Sequence, residues 1–217
     1  MKWISIRSAT LVSLSMLSPL LSAAKEAETT STRQFVQLDG CRFSIPLAAG
    51  QSIRLNASYE TPRAANFNGR FLGPKTKRIG ETWIQFQCID ASDEKELVEQ
   101  SGIKRRGDAW VYGATPEPAD ALAPPIFLSL RGKNWSGGGV VLTPTAVDWS
   151  RKAKSFYFCM VHEPVALCGT AHTIQYVAYP KENVLPHVVK LLQGIEFIDE
   201  SAAAASAPAA SAAASAP

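Results

Sequence analysis

Residues 156–179 read FYFCMVHEPVALCGTAHTIQYVAY, and this stretch decides the fold of the chain. Two apolar segments flank a turn at Glu163 and Pro164, a pattern that predicts a β-hairpin. Cys159 and Cys168 lie at equal distances from the centre of that turn, so they face each other across the two strands. The sequence therefore predicts a disulfide between them.

The chain has four cysteines, the other two being Cys41 and Cys88. An even number of cysteines in an exported chain, without a Cys-x-x-Cys motif, favours disulfides over a zinc site. Because Cys159 pairs with Cys168, Cys41 pairs with Cys88 by elimination. Cys88 alternates with polar residues and shares the buried side of its segment with Phe86, where Cys41 can reach it.

Export itself is predicted by residues 1–24, which contain two cations, an apolar run and then small residues. This order is typical of a secretory signal peptide, so we expect a periplasmic or secreted protein. Cleavage of this signal peptide removes Lys2 and Arg7 and lowers the net charge of the chain from +3 to +1. A near-neutral chain has no basic footprint for nucleic acid, and no later segment is apolar for long enough to span a membrane.

The remaining chain is predicted to form one domain. Residues 25–32 form a loose mature N-terminus. Residues 200–217 contain only Ala, Ser and Pro from Ser201 onward, and such a tail has too little apolar surface to order itself. Residues 33–199 lie between them and have the length of a single domain.

Alternating or apolar segments predict strands at residues 35–38, 41–46, 51–55, 81–90, 110–112, 126–130, 139–142 and 195–198. One helix begins after Asp93 and ends at Gly102, and a second spans residues 183–193 with apolar residues at helical spacing. Residues 56–80 read as an irregular segment and residues 134–139 as a glycine-rich hairpin loop. The predicted fold is α+β, a mostly antiparallel sheet with two helices packed on it, in a single domain stapled by two disulfides.

Two short segments carry resemblances to known families. The end of the second helix and the strand after it, LLQGIEF at residues 191–197, resembles the C-terminal end of PsbP-like and DcrB-like exported α/β modules. The first hairpin, GCRFSIP at residues 40–46, is similar to the opening of periplasmic immunity proteins that neutralise type VI secretion lipases. These resemblances imply an exported α/β module and, in the second case, a toxin as protein partner.

No catalytic, cofactor-binding or metal-binding residues are predicted. Strand alternation places His162 and His172 on opposite faces of the hairpin, and His187 lies on the second helix. Cys168 and His172 share a face but lie about 13 Å apart along an extended strand, too far for direct proton transfer. No Gly-x-Ser-x-Gly motif is present.

The leading hypothesis is therefore an exported, soluble, non-catalytic binding protein of the bacterial periplasm that recognises a protein or a cell-envelope component. Two alternatives are an immunity protein that neutralises a periplasmic secretion-system toxin and a hydrolase whose site is assembled from distant loops. Aromatic and arginine residues in loops or on polar strand faces are enriched at binding interfaces. They predict a binding surface formed by Tyr59, Arg63, Phe67, Arg70, Trp83, Asn134 and Trp135.

Overall fold

The structure is a computed structural model and describes residues 31–56, 63–73, 78–115 and 123–199. The predicted signal peptide, the C-terminal tail and Tyr59 lie outside the described residues. The elements, in chain order, are β1 (Thr32–Leu38), β2 (Cys41–Leu47), β3 (Ser52–Leu55), β4 (Ala64–Gly69), β5 (Thr82–Asp90), α1 (Glu94–Ser101), β6 (Ile103–Arg106), β7 (Ala109–Tyr112), β8 (Ile126–Arg131), β9 (Ser136–Leu142), β10 (Ala153–His162), β11 (Val165–Tyr176), α2 (Leu185–Gln193) and β12 (Glu196–Phe197).

The strands form three antiparallel sheets in the described part of the chain, whereas the sequence predicted one. The large sheet has the order β3-β4-β5-β11-β10-β9-β8, a small sheet has the order β1-β2-β12, and β6 pairs with β7. The difference arises because β1 and β2 pair with the last strand rather than with the large sheet. The apolar side chains of β2, among them Phe43 and Ile45, then face the large sheet and fill the core against Phe86 and Phe158. A mostly antiparallel β structure with two helices is thus confirmed.

The central hairpin has the predicted register. Cys159 pairs with Cys168 and His162 pairs with Val165 in the β10–β11 ladder, and the first two of these residues form a disulfide. The second disulfide joins Cys41 to Cys88 and so links the small sheet to the large one. Both predicted pairings are confirmed, and no free cysteine occurs among the described residues.

The first helix lies where its end signals place it, and the second ends at Gln193 as predicted but begins at Leu185, because Asn183 forms a β-bridge with Gln175. The Asp93 side chain accepts a hydrogen bond from the Glu96 backbone nitrogen at 2.9 Å, which satisfies one of the free amides at the start of α1. Gly102 ends that helix in the left-handed conformation, with φ of 71°, and Gly194 follows the last residue of α2. Within the described ranges, neither helix has the length and apolarity that crossing a bilayer requires.

Three segments differ from the sequence-based expectations. The segment of residues 56–80 contains a regular strand, β4, and β6 was not predicted. The predicted glycine loop at 134–139 is wrong over most of its length, because β9 begins at Ser136. A Cβ atom at Gly137 would overlap the carbonyl oxygen of Cys159, so glycine here permits close approach of β9 to β10 rather than a turn.

The two faces of the large sheet are covered differently. One face packs on the small sheet and α2 around the main core. The other face carries a second, smaller core in which Leu97 of α1 and Ile103 of β6 pack on Val140, Cys159 and Cys168. This second layer covers β8, β9, β10, the neighbouring half of β11 and Ile89 near the end of β5. The outer face of β3, of β4 and of β5 around Trp83 and Gln85 has no covering layer among the described residues, and this part of the sheet carries one of the two candidate sites.

Candidate functional site

The first candidate is a cleft at the end of the central hairpin. Its volume is about 410 Å³. It opens between the turn at Glu163, the turn between β1 and β2, and the chain that follows β12. We call it the hairpin-end cleft, and its lining residues are Gln37, Gly40, Arg42, His162, Glu163, Pro164, Val165, Phe197, Ile198 and Asp199.

His162 is the central side chain of this cleft. Its Nδ1 lies 2.7 Å from the carbonyl oxygen of Asn134, and its Nε2 lies 2.7 Å from Oδ1 of Asp199. Both partners are acceptors, so the ring satisfies both only when each nitrogen carries a proton. The ring also stacks on Phe197, with 5.0 Å between the centroids. Protonated His162, at the end of β10, therefore holds Asp199 at the end of the domain close to the β8–β9 turn that contains Asn134.

The pKa of His162 responds to these contacts in opposite directions. Burial lowers the pKa, whereas the hydrogen bonds to Asp199 and Asn134 and the charge of Asp199 raise it, and the pKa lies above its ordinary value of 6.5. Two further charged groups line the cleft, Arg42 and Glu163. Glu163 is held by Arg105, at 2.7 Å between Nη1 and Oε1.

We expect the stabilising effect of His162 to decrease with rising pH. Because the pKa is raised in the folded state, the charged ring stabilises the fold fully below pH 6.5. This stabilisation is lost as the pH rises through the folded-state pKa. The check is urea unfolding of the wild type and His162→Gln at pH 5.5, 7.0 and 8.5. The free energy difference between the two proteins should be largest at pH 5.5 and should shrink by pH 8.5.

The exposed His172 provides a matched control, because His172→Gln removes a histidine that does not touch the cleft. The difference in the free energy of unfolding between His172→Gln and the wild type should not show this decrease from pH 5.5 to pH 8.5. A His162→Gln difference that stays constant or grows between pH 5.5 and 8.5 would contradict the ionic contact with Asp199.

The geometry of His162 does not supply general-base chemistry. Both ring nitrogens are committed to Asn134 and Asp199, and none of the described residues places a hydroxyl or thiol in hydrogen-bonding contact with the ring. Across the same residues, no group of three His, Cys, Asp or Glu side chains is placed to hold a metal ion. The arrangement is suited to holding the chain end in place.

The second candidate is the part of the outer face of β3, β4, β5 and β11 that no other element of the described chain covers. Cross-strand pairing aligns its side chains in two rows of four. We call this surface the open platform. Its first row is Arg54, Asn66, Gln85 and Thr170, and its second row is Ser52, Asn68, Trp83 and His172.

Trp83 dominates the open platform. Its side chain is 58% exposed, although tryptophan is among the most strongly buried residue types on average. It pairs with Asn68 on one side and His172 on the other, and Gln85 follows it on the same face of β5. The Asn68 amide nitrogen donates to Oε2 of Glu81 at 3.2 Å, which places one carboxylate at the rim.

The residues predicted to form a binding surface separate in the structure. Trp83 is exposed, as are Arg63 and Arg70 at the two ends of β4. Phe67 is fully buried, so its predicted place on a surface is wrong. It lies on β4, within the segment predicted to be irregular, and it faces the main core. The placement of Trp135 on a surface is also wrong, since only 4% of it is exposed.

The burial of Trp135 has a physical reason. Its Nε1 donates to the carbonyl oxygen of Ile195 at 2.9 Å, so the ring closes the gap between the β8–β9 turn and the start of β12. Its neighbour Asn134 is exposed, but its amide donates to the Phe197 carbonyl oxygen and accepts from the Phe197 nitrogen. These two residues therefore connect the β8–β9 turn to Ile195 and Phe197 at β12.

Sequence reasoning missed Asp199 as a partner of His162 and missed the rows of the open platform. Asp199 lies 37 positions from His162, and no local pattern relates the two. For the open platform, a partial signal was present, because Trp83 and Gln85 alternate on the polar side of β5.

Comparison with known proteins gives no family for this chain. No protein-family model matches the sequence, and none of the curated proteins matches it. A crystal structure of a protein from Bacteroides thetaiotaomicron is similar over 73% of this chain, with 9% identity and a TM-score of 0.42. The matched region is 46% of that protein's chain, so this chain spans about half the length of its structural neighbour.

Proposed function

We propose that this protein is an exported, non-catalytic binding protein of the bacterial periplasm, and that the open platform is its recognition surface. The observation that carries the proposal is the exposed Trp83 at the centre of two rows of polar side chains, on the half of the sheet left uncovered by α1 and the β6–β7 hairpin. Large aromatic side chains exposed in this way act as anchors in binding interfaces.

Two further observations support this function. The disulfides Cys41–Cys88 and Cys159–Cys168 are of the kind that persists in oxidising compartments such as the periplasm. The histidine best placed for chemistry, His162, has both ring nitrogens engaged in holding the chain end. Recognition by a rigid surface fits these features better than catalysis does.

We also infer that residues 33–199 form one α+β domain. The two hydrophobic cores lie on opposite faces of the same large sheet, and strands β9, β10 and β11 contribute to both. Elements that share a sheet in this way unfold together. The second helix, α2, packs on the side of the sheet that faces the main core.

Removing the tryptophan ring should abolish most of the binding. The purified protein is incubated with two extracts of the producing bacterium, periplasmic proteins with a cross-linker and sedimented cell envelopes, and the bound fraction is measured. Trp83→Ala should lower the retained amount about tenfold in whichever extract binds the wild type. Its stability should stay within about 0.5 kcal/mol of the wild type, since the side chain is exposed.

Trp149→Ala is the matched control, because Trp149 is 65% exposed but lies outside the open platform. It should bind like the wild type. Equal binding by Trp83→Ala and the wild type would show that the recognition surface lies elsewhere. A partner that proves to be a secreted toxin would identify the immunity variant of this function.

A further inference from the structure

The open platform is nearly free of ionised side chains. Of its eight residues, only Arg54 carries a permanent charge, and the other polar groups are amides, hydroxyls and the His172 imidazole. A surface for phosphate-rich ligands contains several Lys or Arg side chains, and a surface for membranes or apolar protein partners has a wide apolar patch. The open platform has neither feature.

The hydrogen-bonding groups of the open platform are matched to hydroxyls. Asn66 and Gln85 are exposed, and each presents one acceptor oxygen and two donor hydrogens on a side-chain amide, whereas Oδ1 of Asn68 is buried. Thr170 presents a hydroxyl that both donates and accepts. A ligand hydroxyl also donates one hydrogen bond and accepts others, so such a row pairs with a row of hydroxyls without introducing any charge.

Trp83 supplies the complementary apolar contact. The face of an aromatic ring is negative and its edge is positive, so the face attracts C–H groups that carry a small positive charge. Sugar rings present such C–H groups on their flat faces while their hydroxyls point outward. A sugar stacked on Trp83 directs its hydroxyls towards His172, which flanks Trp83 in the same row, and towards the exposed Gln85 of the neighbouring row.

We propose that the open platform binds a neutral oligosaccharide, with one sugar ring stacked on Trp83 and adjacent hydroxyls bonded to Asn66 and Gln85. This inference rests on the proposed function and names the chemical class of its ligand. Each row crosses three strand spacings, about 14 Å at about 4.8 Å per spacing. A surface of this width exceeds a single sugar ring and accommodates a short chain of sugars.

The test is a panel of immobilised oligosaccharides probed with the protein purified after expression of the full chain. The panel contains neutral oligomers of glucose and of N-acetylglucosamine, and sulfated and carboxylated oligosaccharides of the same length. We expect binding to neutral oligomers, with affinity that increases from two to four sugars and changes less than twofold between 50 and 300 mM salt, since no counterions are released.

Four variants test whether the oligosaccharide binds at the open platform. Trp83→Ala should weaken binding about tenfold or more, Trp83→Tyr should retain part of it because a ring remains, and Gln85→Ala should weaken it severalfold. Trp149→Ala should bind like the wild type. Far-UV circular dichroism confirms that each variant is folded.

The outcomes separate this inference from the proposed function. Binding only to charged oligosaccharides, or neutral binding that Trp83→Ala leaves unchanged, overturns the inference. The absence of any oligosaccharide binding, together with Trp83-dependent capture of a periplasmic protein, overturns the inference and leaves the proposed function standing. If neither ligand class is bound through Trp83, both proposals fall.

Discussion

Replacing Trp135 with alanine should lower the free energy of unfolding by about 3–5 kcal/mol, the range measured for truncation of large buried aromatic side chains. The ring is 4% exposed and belongs to the main core. Its Nε1 donates to the Ile195 carbonyl oxygen at 2.9 Å. The substitution therefore creates a cavity and leaves a carbonyl oxygen without its partner at the start of β12.

Urea unfolding followed by far-UV circular dichroism measures this loss without depending on tryptophan fluorescence. Trp135→Phe separates the two contributions, because it keeps most of the apolar contact and loses the hydrogen bond. It should cost about 1–3 kcal/mol. The exposed Trp149 supplies the control, since Trp149→Ala should change stability by less than about 0.5 kcal/mol. Equal effects of the two alanine substitutions would contradict the burial of Trp135.

Removing the disulfide between Cys41 and Cys88 should destabilise the protein more than removing the one between Cys159 and Cys168. The first disulfide joins cysteines with a sequence separation of 47. The second joins cysteines with a sequence separation of 9. In the chain-entropy model these loops contribute about 4 and about 2.7 kcal/mol. The longer loop also joins the small sheet to the large one, whereas Cys159 and Cys168 already face each other in a hydrogen-bonded ladder.

The two double alanine variants, C41A/C88A and C159A/C168A, are compared by urea unfolding under identical oxidising conditions. The order of stability should be wild type, then C159A/C168A, then C41A/C88A. Each variant retains the other disulfide and so serves as the matched control for its partner. The reverse order would show that the Cys159–Cys168 disulfide constrains the unfolded chain more than the Cys41–Cys88 disulfide does.

Patterns within a few residues predicted the parts of the fold that depend on neighbouring residues. Alternation of apolar residues around Glu163 and Pro164 placed Cys159 opposite Cys168, because the register of a hairpin follows from its turn. Asp93 and Gly102 likewise marked the two ends of α1. In these cases the partner groups lie close in sequence, and spacing alone relates them.

The burial of Trp135 could not be predicted from its neighbours in the sequence. Glycine-rich sequence around it is typical of loops, and nothing near it indicates burial. The Ile195 carbonyl oxygen to which its Nε1 donates lies 60 positions later in the chain. The same holds for His162, whose partner Asp199 is brought into contact only because β12 pairs with β2 beside the central hairpin.

By itself, the sequence determined the central hairpin, the pairing of the four cysteines, the two helices and the polar side of the strand that carries Trp83. These features depend on spacing along one segment or on parity within one hairpin. Only the tertiary structure decided which half of the large sheet is left uncovered by α1 and the β6–β7 hairpin, and which side chains stand beside Trp83. Those neighbours come from strands distant in sequence, and the hydrogen-bonded ladders that align them in rows form only when the whole sheet is assembled.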